Sequence, residues 1–356
     1  MMSPDHVSNK LAITIGTRPE PGLCDYIVLD IPQTPDGKFD SSGYKFLNGS
    51  TTKYMFSITE VLSSRSTFLD KATLSDTGRE ILQILPLRGF GFLGEVSQRN
   101  PFASIRGSLA NYAQSLTFFY ARFTEVLRGL GVAKGEVINF LAFKPVNLAS
   151  RAASYERLLE SLNNIPSDHL HLVMLLTITT ETDLLVQPSS SWDKHCLASD
   201  SEPTIKEAVE LIAKVKSPVF TFALTLSLRF DIFEDVMVTS LGTTELKAIG
   251  STDHRSVGYE GECYKLHAGI PFHRITNVAV GECAFAQYKP MEIATFETSE
   301  SVEEKMTLAY DTLDLLKATS HTVGWLVYNV TGGLSPPLCG GSQHRLRKIR
   351  EIIDTR

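Results

Sequence analysis

The sequence has few cysteines, no long apolar run and no excess of positive charge, and each lack excludes something. Cys24, Cys196, Cys263, Cys283 and Cys339 are odd in number and include no CxxC pair. That argues against a disulfide framework and for reduced thiols in a cytoplasmic protein. No apolar run reaches the ~18–20 residues needed to span a bilayer. The start, MMSPDHVSNK, has no positively charged segment followed by an apolar one, so no signal peptide is expected. The formal net charge of −6 disfavours a general nucleic-acid binder, which needs positive surface to displace counterions from phosphate.

Catalytic signatures are also scarce. IGTRPE (15–20) opens like a nucleotide-sugar loop but leads into a turn and a strand, not a helix. TGGLSPPLCGG (331–341) matches no phosphate-loop pattern, and its two prolines remove amide donors. His267 and His273, near Glu262 and Cys263, lack zinc-site spacing, so no metal site is expected. Asp193, His195 and Cys196 are sequence neighbours with no third orienting group. No GxSxG elbow is present. No residue is therefore assigned as catalytic.

What is present is alternation. In PVFTFALTLSLRF (218–230), Phe220, Phe222, Leu224, Leu226, Leu228 and Phe230 alternate with Thr221, Ala223, Thr225, Ser227 and Arg229. This predicts a long strand with one apolar and one mixed face. Further strands are predicted at 11–16, 25–31, 136–143, 169–179 and 321–330. DIFEDVMVTSL (231–241) reads as the hairpin partner of 218–230. Helices are predicted at 105–128, 149–163, 204–216 and 302–318, with a basic one over 341–355. Thr204 with Glu207, and Ser301 with Glu304, read as capping boxes.

The recurring order is helix, strand, strand. It predicts an α+β fold in which long antiparallel hairpins alternate with helices and can close into a barrel ringed by helices. The chain reads as a single domain over 1–356 with a loose arm at 1–10. FLAFKPVNLAS (140–150) echoes FAQYKPMEIAT (285–295), hinting at a duplication of 136–180 in 281–331. In such a barrel the mixed face would line a polar lumen, with His169, His171, Thr177 and Thr179 from one strand and Thr221, Thr225, Ser227 and Arg229 from the next. The competing expectation is a solvated face or a subunit interface.

The stretches TIKEAVELIAKVKSPVFTFALTLSLRFDIFEDVMV and YERLLESLNNIPSDHLHLVMLLTITTETDLLV resemble, in pattern, the aromatic prenyltransferases of the antiparallel α-β-β-α barrel. The resemblance implies transfer of an isoprenoid group from a diphosphate to an aromatic acceptor. It calls for no resident cofactor beyond magnesium with the diphosphate. By residue type it points to Lys144, His171, Arg229, Lys265, Arg274, Tyr288 and Lys289 as substrate contacts, with Tyr264 and Trp325 as further walls. The expected partner is a small molecule, with no membrane. The alternatives are a self-assembling scaffold, such as a viral one, that uses the mixed faces as a homo-oligomer interface, and a single-stranded RNA binder that uses the basic tail at Arg345, Arg347, Lys348 and Arg350.

Overall fold

The computed structural model describes residues 11–15, 20–30, 52–57, 79–80, 82, 85–92, 109–133, 135–143, 145, 147–163, 170–174, 190–194, 202–216, 221–228, 230–241, 246–249, 253–257, 273–276, 284–289, 291–317, 321–330 and 341–356. Eight strands form a closed barrel. They are β1 (Leu11–Ile15), β2 (Tyr26–Asp30), β3 (Lys53–Ser57), β4 (Leu87–Phe92), β5 (Ile138–Phe143), β6 (Leu170–Met174), β7 (Thr221–Ser227) and β15 (Val323–Val330). Every pairing between them is parallel, and β1 closes the ring by pairing with both β2 and β15.

This corrects the antiparallel expectation. Parallel neighbours need a crossover, and the chain supplies helices for it. Those described are α1 (Leu109–Gly129), α2 (Leu148–Leu162), α3 (Ile205–Lys214), α4 (Ser299–Leu315) and α5 (Gly341–Thr355). Along this arc α1 packs on α2, α2 on α3, α3 on α4 and α4 on α5. The class is α/β, a parallel barrel wrapped by helices.

Among the described side chains, the larger apolar cluster lies between the strands and the helices. Phe222, Leu224 and Leu226 of β7 and Val323, Trp325 and Val327 of β15 join the helix-facing core with Ala208, Ile212, Met306 and Ile349. The alternate positions face a smaller inner cluster of Tyr26, Val28, Met55, Ile138, Phe140, Ala142 and Leu326, with Ala223 beside it. Burial of the outward face against helices is the main stabilising term here, at about 25 cal/mol for each Å² removed from water.

After β7 the chain leaves the barrel. β8 (Phe230–Glu234) does not fold back on β7. It pairs antiparallel with β11 (Asp253–Val257) and β14 (Glu292–Phe296) in a five-stranded sheet ordered β11-β8-β14-β13-β12, with β12 at His273–Thr276 and β13 at Ala284–Lys289. The segment read as a hairpin partner is thus the first strand of an insert, followed by the small pair β9 (Met237–Leu241) and β10 (Leu246–Ile249). The two echoing stretches also differ in structure. One forms β5 and the start of α2, and the other is the β13–β14 hairpin.

Capping is local and readable. Thr204 accepts from the Glu207 amide at 3.2 Å, and Glu207 accepts from the Thr204 amide at 3.1 Å. The second box sits three residues earlier than its sequence reading: Thr298 caps α4 and Ser301 answers it, at 3.0 and 2.9 Å. Along α4, Val302, Met306, Ala309 and Leu313 are buried, whereas Leu316 lies at the C-cap and is exposed.

Candidate ligand-binding mouth of the barrel

In a parallel barrel all strands point the same way, so the loops that leave them gather on one face, where sites of this fold sit. Here that face is reached past Ser57, Phe143, Met174, Ser227 and Val330. The upper inner wall carries small hydroxyls. Ser57, Thr225 and Ser227 are buried, and Thr225 Oγ1 donates to the Met174 carbonyl at 2.9 Å. Lower down, His171 Nδ1 and Thr221 Oγ1 lie 2.6 Å apart, and both are half-buried.

β4 contributes no side chain at two inner positions. Gly89 and Gly91 pair in register with Ile138 and Phe140 of β5. A Cβ on Gly89 would meet the Ile138 carbonyl oxygen at 1.7 Å, and one on Gly91 would meet the Phe140 oxygen at 2.1 Å and its ring at 2.4 Å. Both contacts are below any real Cβ distance, so Phe140 takes the space that a β4 side chain would fill. Its carbonyl is held from outside by the Tyr120 hydroxyl at 2.8 Å.

At the rim, three strand-to-helix junctions meet on one buried ion pair. Lys305 of α4 and Glu297, just before α4, are 0% and 1% exposed. Lys305 Nζ donates to both Glu297 carboxylate oxygens, at 2.6 and 2.8 Å, and to the Ser190 carbonyl at 3.0 Å. Glu297 also accepts from the Ser190 hydroxyl at 3.1 Å and the Ser301 hydroxyl at 2.7 Å. Arg345, in the first turns of α5, donates to the Glu297 carbonyl at 3.0 Å. All three ammonium protons and both carboxylate oxygens are therefore used, as burial of a charge requires. No spacing in the sequence marks this set, because its members come from three segments.

Of the expected contact residues, the structure describes His171, Arg274, Tyr288 and Lys289. His171 stands in the barrel wall. Arg274 lies on β12, and Tyr288 and Lys289 on β13, all on the separate antiparallel sheet. Lys144, Arg229, Lys265 and Tyr264, like His169, Thr177 and Thr179, lie outside the described residues. Trp325 is no lumen wall. It faces the helices, is 1% exposed and donates its indole N–H to the Tyr310 hydroxyl at 3.1 Å. Of the mixed face of β7, Ala223 packs beside the inner cluster and Thr225 and Ser227 are buried in the barrel wall, against the expectation of a solvated face. Among the described residues no three His, Cys, Asp or Glu side chains group as a metal site, and no helix is long and apolar enough to cross a membrane.

The basic C-terminal helix is occupied with docking. Arg347 pairs with Glu20 at 2.6 Å, Lys348 with Glu303 at 2.9 Å, Arg350 with Asp25 at 2.9 Å and with Asp354, and Arg356 with Asp311 at 3.0 Å. Leu346, Ile349, Ile352 and Ile353 are buried beneath them. Intramolecular carboxylates thus take the charges that the RNA-binding alternative assigned to phosphate.

The sequence matches no family model, and no curated protein matches it. Solved structures do match. The catalytic domain 2 of a group II chitinase from Ostrinia furnacalis superposes with a TM-score of 0.65 at 12% identity, covering 98% of this chain and 97% of that one. The fold is that of a chitinase barrel. An immunomodulatory active chitinase from Trichuris suis gives 0.64 at 13% identity, covering 97% of this chain and 100% of that one. YKL-39, solved in the presence of chitooligosaccharides, gives 0.62 at 14%, covering 97% and 99%. These likenesses overturn the resemblance to the antiparallel prenyltransferases, and with it the expectation of isoprenoid transfer.

Proposed function

We propose that the protein binds a chitooligosaccharide at the C-terminal mouth of its barrel. The observation that carries this reading is the match over nearly the whole chain, inserted sheet included, to proteins described as acting on chitin or solved with its oligomers. The ligand class suits the mouth. A sugar chain is neutral and rich in hydroxyl and amide groups, and it is held by a concave surface of mixed polarity rather than by a charge cluster.

A hydrolytic reading makes one specific demand. Cleavage of a glycosidic bond needs a carboxylic acid to protonate the leaving oxygen. β4 leaves its two inner positions to glycine. The first carboxylate after it in the sequence is Glu95, the third residue past Phe92. Titration calorimetry with chitohexaose tests binding, and separation of products by chromatography tests cleavage. Saturable heat is expected. Its absence with every oligomer length would end the proposal. If products form, Glu95→Gln should stop cleavage and leave binding, and retained cleavage would remove Glu95 from the role.

A further inference from the structure

We infer that the buried Glu297–Lys305 pair positions the sugar-binding rim by fastening three neighbouring strand-to-helix junctions to one another. This rests on the proposed binding of a chitooligosaccharide at that face.

Each junction lies on the C-terminal side of the barrel. Ser190 precedes α3 on the path from β6 to β7, Glu297 stands between the inserted sheet and α4, and Arg345 opens α5 after β15. The pair itself joins the first two through Ser190 and Ser301, and Arg345 ties the third to the Glu297 main-chain carbonyl. The Ser190 end is itself pinned. The Ile205 amide donates to the Ser191 carbonyl and the Lys206 amide to the Trp192 carbonyl, both at 2.9 Å. Ser191 Oγ donates to the Asp193 carbonyl at 2.8 Å, and Lys194 reaches Glu207 at 3.1 Å and the Glu202 carbonyl. Residues 190–194 are thus a stiff edge, set against the insert by the charge pair. Apolar residues could fill the same volume with equal or greater stability, so a retained buried pair points to a demand other than stability. Its directional bonds fix the register between the insert and the barrel, which a greasy contact would leave free to slide.

The test uses the full chain with Glu297→Gln and Lys305→Met together, and separately Ser190→Ala, which removes one hydroxyl and leaves both charges. Three quantities are read: the melting temperature, amide exchange at Ile205 and Lys206, and the affinity for chitohexaose. The double variant should melt near the parent, exchange those two amides faster, and bind about tenfold more weakly, as a site loosened at its supporting shell does. Ser190→Ala should shift exchange and affinity the same way by less, and it decides the matter if the double variant does not fold. Parental affinity in a folded variant overturns the inference, whether or not exchange rises. If the parent itself binds no oligomer, the proposed function fails, and unchanged exchange in a folded variant would then refute the fastening on its own.

Discussion

At Gly91 the barrel wall admits no side chain at all. A methyl there meets both the Phe140 carbonyl oxygen and the buried Phe140 ring, and that carbonyl is already engaged by Tyr120. Gly91→Ala is therefore expected to force β4 and β5 apart and to cost about 1–3 kcal/mol, as overpacking does. A lowered urea midpoint with unchanged slope would confirm it, and an unchanged midpoint would refute it. Lys305→Ala leaves Glu297 charged and buried, a change that typically costs about 3–5 kcal/mol. A chemical melt of that single variant should show a loss of that size. Cys24 is buried and free, and burial pushes its thiol up from 9.0 to about 12. Above pH 9 the unfolded chain gives up this proton while the native chain keeps it, so the unfolded state binds fewer protons and stability falls as pH rises toward 12. Tyr310, pushed up from 10.0 to about 12 by burial, adds the same sign over a higher window. Cys24→Ala should flatten the fall that begins near pH 9 in a series of alkaline melts.

At the scale of elements, the helices were more legible than the sheet. The Thr204–Glu207 box and the stripe of Ala208 and Ile212 are local, and α3 forms where they place it. Thr204→Ala should cost about 1 kcal/mol, read as a small drop in melting temperature. In α1 Tyr120 is wholly buried, and its hydroxyl donates to the Phe140 carbonyl. The strands of β7 and β15 were also visible, and their direction was not. Alternation with a mixed face suits an antiparallel sheet whose second face is either wet or closed around a lumen. A parallel barrel alternates as well: its outer face meets helices, and its inner face is narrow enough to require Gly89, Gly91, Ala142 and Ala223. The polar positions of β7 that suggested a lumen, Thr225 and Ser227, are buried in the inner wall. The rim pair was out of reach for another reason, since Ser190, Glu297 and Arg345 are brought together only by tertiary structure.

For the whole molecule, the basic tail separates two readings. Its buried face of Leu346, Ile349 and Ile353 covers α4, and its charges meet Glu20, Asp25, Glu303 and Asp311. Deleting 341–356 should therefore expose apolar surface and abolish cooperative unfolding in a calorimeter. A truncated chain that melts like the parent would contradict the docked role and return the helix to the list of free binding arms.

The seam between β1 and β15 joins residues 11–13 to 325–327. During synthesis the first strand emerges long before its second neighbour, at roughly 5–20 residues per second. For that interval β1 has an open edge, and ring closure must await the last strand to leave the ribosome. A nascent chain stalled before residue 321 should thus remain sensitive to protease and dependent on chaperones, however much of its N-terminal half is already helical. Translation speed through the inserted sheet becomes a determinant of yield, because every pause there prolongs the life of an unclosed barrel.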